Sequence, residues 1–183
     1  LFVVFGSILE KAGAGNFFIK IAFALLGHLR GGPAKAAVIA SAMSGLYSGS
    51  SIANTVTTGT FTIPLMKRTG LSAEKAGAVE VASSTNGQLT PPVMGAAAFL
   101  ISEFTGVSYQ DLIIHALVPA LVSYIALVYI VHLEAMKLDL QGLPRPPSSM
   151  TLKLKVISFL GGFIGMALLG MAVYYGLGWI KVV

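Results

Sequence analysis

Apolar residues fill long blocks of this chain, and short polar or glycine-rich stretches separate the blocks. We read the apolar blocks as helices. They are predicted at 17–28, 34–48, 54–68, 73–84, 93–104, 112–133 and 156–180. The pattern therefore predicts an all-α protein.

A run of small polar residues, GLYSGSSIANTVTTG at 45–59, is flanked by the apolar stretches 34–43 and 61–66 of two predicted helical arms, 34–48 and 54–68. An arm of about 15 residues reaches only about 22 Å as a helix, which is too short to cross a hydrocarbon layer of about 30 Å. Both outer ends must then lie on one side of a membrane. We predict a re-entrant helical hairpin over 31–70, whose non-helical tip faces a protein interior or a wet cavity.

A second polar break, TNGQLTPP at 85–92, interrupts the next helix. Pro91 and Pro92 remove backbone donors, and Pro92 disfavours helical geometry at the residue before it. We predict one interrupted transmembrane helix over 71–105, with Ser72 as its N-cap. An ordinary transmembrane helix follows over 106–138, after a capping sequence that begins at Ser108.

The ends of the chain complete the predicted organisation. Residues 1–30 read as the end of a transmembrane helix and a short helix on the cytoplasmic membrane surface, capped by Asn16. Residues 139–155 read as a cytoplasmic proline-rich loop and 156–183 as a last transmembrane helix. The sequence opens in mid-helix without the features of a signal peptide, so we expect a piece of a longer chain.

Composition supports a membrane protein, since 55% of the 183 residues are hydrophobic and 10% are charged. The net charge of +5 does not indicate nucleic acid, because the basic residues are scattered between apolar segments. In the predicted topology only Lys181 among the 12 Lys and Arg lies on the far side, which places the loops in the cytoplasm. The absence of cysteine excludes disulfides and thiolate metal sites.

The two polar breaks are candidates for a binding site. Broken helices expose carbonyl oxygens at one end and N–H groups at the other, which suit cations and anions respectively. Neither break contains a carboxylate, so a monovalent ion such as Na⁺ fits better than a divalent one. The alternatives are close helix packing at the tip and a plain proline kink. For Glu80, a functional buried acid and a side chain that reaches water both stay open.

Other chemistries find little support. Gly49-Ser50-Ser51 matches a G-x-S pattern of intramembrane serine proteases, with His115 or His132 as the base. Such a match is expected by chance in a sequence with 21 Gly. An ion channel with a re-entrant pore loop is the other alternative. The sequence lacks a phosphate-binding loop with lysine, which argues against ATP hydrolysis.

Four segments carry a family resemblance: HLRGGP at 28–33, SGLYSGSSIAN at 44–54, GTFTIPLMKRTG at 59–70 and QLTPPVMGAAAF at 88–99. They resemble the large membrane subunit of tripartite ATP-independent periplasmic (TRAP) transporters. The PPVMGAAAF run is most similar to the TAXI type, which is often fused to the small subunit. The resemblance is specific over 27–103 and generic in the final helix.

The resemblance implies part of an elevator-type secondary transporter in a bacterial or archaeal cytoplasmic (inner) membrane. Such a transporter carries Na⁺ as the coupling ion, with no other cofactor, together with an organic acid. The implied partners are a periplasmic substrate-binding protein, a small membrane subunit or its fused equivalent, and the remainder of the large subunit with a second, inverted hairpin.

The resemblance also implies a site between the hairpin tip and the broken helix. The implied ion- and substrate-binding residues are Gly49, Ser50, Ser51, Asn54, Thr85, Asn86, Gly87 and Pro91. Among them, Ser50, Asn54 and Gly87 are the implied Na⁺ ligands, through backbone carbonyls as much as through side chains.

Overall fold

The computed structural model describes residues 8–9 and 11–144, and all regular secondary structure in these residues is helical. The helices are α1 Ala14–Leu26, α2 Gly32–Ser48, α3 Ser51–Arg68, α4 Ala73–Gly87, α5 Ala96–Thr105 and α6 Tyr109–Lys137. The predicted all-α class is confirmed over this part of the chain. The predictions for 1–7 and for everything from 145 onward, including the last transmembrane helix, lie outside the described residues.

Helix α1 begins earlier than predicted, and Asn16 is not its cap. Gly13 is the N-cap, with a φ of 85° that glycine adopts without steric cost, and its carbonyl accepts from Phe17 N at 3.1 Å. Asn16 therefore lies inside the first turn of the helix. One face of α1, including Ile19 and Ala22, packs on Ala36 and Ala40 of α2.

Helices α2 and α3 form a hairpin whose connection is only two residues long. Gly49 ends α2 with a φ of 60°, and Ser50 is extended and caps α3 by accepting from Ala53 N at 3.3 Å. The two helices have 17 and 18 residues, which correspond to lengths of about 26 and 27 Å. The hairpin packs against α4 along both of its arms.

The break in the second helical segment lies further along the chain than predicted. Helix α4 continues to Gly87, so Thr85, Asn86 and Gly87 belong to its last turn and not to the break. The reason is that backbone donors persist beyond Gly87: the N–H groups of Gln88, Leu89 and Thr90 bond back to carbonyls at 85, 86 and 87, at 3.0, 3.0 and 3.1 Å. The first residue without a donor is Pro91.

Helix α5 correspondingly starts at Ala96 and not at 93. Met94 has a φ of 53°, which is incompatible with a right-handed helix, and Gly95 is the extended N-cap. The irregular segment between α4 and α5 is therefore 88–95.

Helix α6 is the one helix among the described residues that is long and apolar enough to cross a membrane. Ser108 caps it as predicted, since its side chain accepts from Asp111 N at 3.2 Å. Apolar side chains are exposed along its length, among them Ile114, Leu117, Val118, Leu121, Val122, Ile125 and Ile130.

The far end of α6 is fixed to the base of the hairpin and to the start of α4. A core of small and apolar side chains there includes Ala34, Val38, Met66, Ala76, Val131 and Ala135. Polar contacts surround it: Lys75 pairs with Glu134, and Lys35 Nζ lies 2.9 Å from His132 Nδ1. The opposite ends of α2, α3 and α4 are left to form the site described next.

Candidate ion-binding site at the hairpin tip

Four helix ends meet where the hairpin tip contacts the 88–95 segment. Gln88 Nε2, just past the end of α4, donates to Ser51 Oγ at the start of α3 at 2.7 Å. A Cβ added to Gly95, the N-cap of α5, would lie 3.3 Å from the carbonyl oxygen of Gly49 at the end of α2. The ends of α2, α3, α4 and α5 are thus held against one another.

Glycine allows the closest of these approaches. A Cβ added to Gly45 of α2 would lie only 2.6 Å from Gly87 Cα in α4, so the two backbones touch directly at this point. A Cβ added to Gly49 would lie 2.3 Å from the carbonyl oxygen of Met94. A larger residue at 45 therefore requires α2 and α4 to separate, and a larger residue at 49 requires the tip and the 88–95 segment to separate.

The polarity of the four ends alternates. Helices α2 and α4 present their C-terminal, negatively polarised ends, while α3 and α5 present their N-terminal, positively polarised ends. A cation is favoured beside the first pair and an anionic group beside the second.

Asn54 supplies an oxygen that lacks a protein partner. Its side chain is 3% exposed, and Nδ2 donates to the carbonyl oxygen of Ser41 at 3.1 Å and to Ser41 Oγ at 3.4 Å. Within the described residues, Asn54 Oδ1 and Ser44 Oγ are the buried side-chain oxygens without a hydrogen-bond partner. An unpaired buried acceptor is costly, and Asn54 Nδ2 would be only 3.7 Å from a Cβ at Gly87. Neutral oxygens beside helix C-termini fit the donor set expected of a Na⁺ ligand shell.

The structure brings some of the sequence-predicted residues together and leaves others apart. Asn54 lies beside Gly87, Ser51 bonds the break, and Gly49 touches it. Ser50 is exposed and serves as a cap, while Thr85 is exposed and its hydroxyl donates to Val81 O at 2.8 Å.

The other two predicted residues lie at the end of α4 and in the break. The carbonyl of Asn86 accepts from Leu89 N and from Thr90 Oγ1, and Pro91 is buried. The backbone carbonyls of Thr85 and Asn86 thus lie in the last turn of α4.

A buried cluster around Glu80 adjoins the site and was not assigned from the sequence. Glu80 is 0% exposed, which rules out the interpretation that it reaches water. Its carboxylate accepts from four hydroxyl groups on three helices: Ser41 of α2, Thr58 and Thr62 of α3, and Ser84 of α4. The sequence signal was the four-residue spacing of Asn54, Thr58 and Thr62, and of Glu80 and Ser84, which places each set on one helix face.

The serine and histidine residues considered for hydrolysis do not form a catalytic pair. Ser51 Oγ is the acceptor of the Gln88 bond, His115 Nδ1 lies 2.7 Å from the carbonyl of Asp111, and His132 contacts Lys35. The two imidazoles are engaged away from Ser51.

A long apolar helix with exposed apolar side chains, beside helices that bury a polar cluster, is the pattern expected of a helical membrane protein. Residues 1–179 match the family model described as "Tripartite ATP-independent periplasmic transporter, DctM component". The chain belongs to this family, as the resemblance predicted.

Similar proteins carry names from the same family. The chain is 31% identical over 146 residues to the C4-dicarboxylate TRAP transporter large permease protein DctM of Vibrio cholerae, a match that covers 80% of this chain and 31% of the relative. The DctM of Pseudomonas aeruginosa is 30% identical over 144 residues, with 79% and 33% covered. The ectoine TRAP transporter large permease protein TeaC of Halomonas elongata is 29% identical over 121 residues, with 66% and 28% covered. The chain thus spans about a third of the length of these relatives.

Proposed function

We propose that this chain is part of the large permease subunit of a Na⁺-coupled TRAP transporter that imports an organic acid across a bacterial or archaeal cytoplasmic membrane. A periplasmic binding protein delivers the acid, and a small membrane subunit and the rest of the large subunit complete the transporter. Family membership and the names of the relatives support this assignment. The TAXI type stays a prediction from the PPVMGAAAF run.

The observation that carries the proposal is the unpartnered Oδ1 of buried Asn54, a residue whose side-chain amide lies beside Gly87 at the end of α4. In the proposal, Na⁺ takes Asn54 Oδ1 as a ligand, with carbonyl oxygens near Gly87 and at Ser50 completing the shell. The converging C-termini of α2 and α4 favour its charge. The absence of a carboxylate from the tip and from 88–95 suits a monovalent ion.

The hairpin is proposed to be re-entrant, with its base at the cytoplasm and its tip within the membrane. Helices of about 26 Å fall short of the hydrocarbon layer of about 30 Å, and Lys35 and Arg68 mark the base. Helices α4 and α5 are then the halves of one broken transmembrane helix, and the unit moves as the mobile part of an elevator.

The substrate is proposed to place its carboxylate near the N-termini of α3 and α5, where backbone N–H groups are positively polarised. These ends lie beside the ion site, so Na⁺ and a carboxylate bound there attract each other. Such mutual attraction provides a physical basis for coupling.

The test is Na⁺-dependent uptake by the reconstituted full-length transporter with its binding protein. Asn54→Ala is expected to raise the Na⁺ concentration for half-maximal uptake at least tenfold, and Ser50→Ala to raise it less. Ser83→Ala is the matched control, because this buried hydroxyl donates only to carbonyls of its own helix, Val79 O and Glu80 O. Undiminished sodium coupling in both tip variants contradicts the site.

A further inference from the structure

We propose that Glu80 is a positioning residue, which acts through Ser41 to turn the amide oxygen of Asn54 toward the ion. The inference rests on the proposed Na⁺ site. It assigns a role to a buried acid whose carboxylate is engaged by four hydroxyl groups.

The carboxylate of Glu80 is held in one place. Its Oε1 accepts from Ser41 Oγ at 3.2 Å, from Ser84 Oγ at 3.4 Å and from Thr58 Oγ1, while Oε2 accepts from Thr62 Oγ1. Gly59 packs against the side chain, where an added Cβ would lie 3.2 Å from Glu80 Cγ. Three helices therefore fix the direction from which the carboxylate can accept hydrogen bonds.

Asn54 is linked to Glu80 through the hydroxyl group of Ser41, and the donors and acceptors along this link are fixed. A serine hydroxyl has one hydrogen, and a carboxylate can only accept. Ser41 Oγ also lies 3.2 Å from Ser84 Oγ and 3.4 Å from Thr58 Oγ1, but both of these hydroxyls can donate to Glu80 themselves, so we assign the hydrogen of Ser41 to Glu80 Oε1. The oxygen of Ser41 can then only accept from Asn54, and it lies 3.4 Å from Nδ2. The amide nitrogen is thereby held on the Ser41 side, and Oδ1 must point away from it.

The opposite amide orientation is unfavourable for two reasons. It would place Asn54 Oδ1 against the carbonyl oxygen of Ser41, which now accepts from Nδ2 at 3.1 Å, so two acceptors would face each other. It would also leave two buried amide hydrogens without these acceptors. The observed orientation accounts for why the oxygen of Asn54, and not its nitrogen, lacks a partner.

A second path ties the backbone of Asn54 to the same carboxylate. Thr58 Oγ1 lies 2.7 Å from the carbonyl oxygen of Asn54 and also contacts Glu80 Oε1, so its single hydrogen is shared between these two acceptors. Both the side chain and the backbone of Asn54 are therefore one hydroxyl group away from Glu80. Residues that orient a ligand in this way typically change metal affinity by about 10- to 100-fold when they are removed.

Two substitutions at Glu80 distinguish the effect of losing a hydrogen-bond acceptor from the effect of losing the negative charge. Glu80→Met removes the acceptor at similar length. Glu80→Gln removes the charge but retains one oxygen atom. The amide oxygen of the glutamine is expected to occupy the position of Oε1, where three hydroxyl groups donate, and not that of Oε2, where one does. If Glu80 positions Asn54 through hydrogen bonds, the glutamine variant should restore what the methionine variant loses.

The readout is the Na⁺-dependent rise in melting temperature of the purified full-length permease, with choline replacing Na⁺ at constant ionic strength. Glu80→Met is expected to raise the half-maximal Na⁺ concentration about tenfold, and Glu80→Gln less than threefold. Ser41→Ala, which keeps the carbonyl acceptor, should raise it about threefold, and its effect should not add to that of Glu80→Met. The Ser83→Ala control should respond as the wild type does.

An unchanged Na⁺ response in Glu80→Met, with the response lost in Asn54→Ala, overturns the positioning role and leaves the Na⁺ site intact. Equal losses in the Gln and Met variants also overturn it, in favour of a direct effect of charge. If Glu80→Met does not accumulate, Ser41→Ala decides, and a wild-type response there refutes the inference. A wild-type permease without any Na⁺ response, or an unaffected Asn54→Ala, instead removes the proposed function on which the inference rests.

Discussion

The direct contact between Gly45 and Gly87 gives a sharp prediction about the packing of the hairpin on α4. Gly45→Ala would place a methyl group 2.6 Å from Gly87 Cα. Carbon atoms approach optimally at about 3.5 Å or more, so α2 and α4 must separate by about 1 Å at this point. Because the alanine methyl has no alternative rotamer and its partner is a backbone atom, no side-chain rotation can relieve the contact.

The magnitude follows from a matched pair. Overpacking of a tight contact costs about 1–3 kcal/mol, while replacing glycine by alanine inside a helix gains about 1 kcal/mol. Gly77, also within a helix, has nothing within 4 Å of an added Cβ, so Gly77→Ala should gain the helix-propensity stabilisation without the overpacking cost. The difference between the two variants therefore isolates the contact at about 1–3 kcal/mol in favour of Gly77→Ala.

The assay is thermal unfolding of the purified full-length permease in detergent, with and without Na⁺. Gly45→Ala should melt several degrees below Gly77→Ala, at roughly 2 °C for each kcal/mol. Its Na⁺-dependent stabilisation should also shrink, since separation of the helices moves Gly87 away from Asn54. Equal melting temperatures for the two variants would refute the close packing of α2 on α4.

Three further predictions concern the tip, the capping of α6 and the absence of hydrolytic chemistry. Ser51→Ala and Gln88→Ala should show a coupling energy of about 1 kcal/mol in a double-mutant cycle of thermal unfolding, because their 2.7 Å hydrogen bond joins the tip to the break; strict additivity would count against that bond. Ser108→Ala should destabilise the protein by about 1 kcal/mol through loss of the α6 cap while leaving Na⁺ affinity unchanged, and a change in Na⁺ affinity would show that the cap and the site are coupled. A fluorophosphonate probe should not label Ser51, whose hydroxyl accepts from Gln88, and specific labelling that is lost in Ser51→Ala would favour the hydrolase alternative.

The polarity of short stretches was sufficient to locate the tip, because Gly49 and Ser50 are residues whose backbone preferences end one helix and cap the next. The sequence was less informative about where α4 ends. A proline marks the first missing backbone donor and not the last helical residue. The N–H groups of the three residues before Pro91 still bond to the carbonyls of 85, 86 and 87, so the helix extends to Gly87. Boundaries set by backbone donors can be inferred only when each donor's acceptor is known.

The Glu80 cluster shows a different limit. The periodic spacing of Thr58 and Thr62 predicts that they share a face, yet only the packing of α2, α3 and α4 reveals that this face meets Glu80 and Ser41. A lone carboxylate in a sequence has no indicated partners. Tertiary contacts supplied them here.

The most direct test of the central claim is equilibrium binding of radiolabelled Na⁺ to the purified full-length permease, with wild type, Asn54→Ala and Ser83→Ala compared side by side. If the buried Oδ1 is a Na⁺ ligand, binding should be saturable in the wild type and in Ser83→Ala, and the affinity should fall at least tenfold in Asn54→Ala. Binding of equal affinity in all three proteins would contradict an ion site at the hairpin tip.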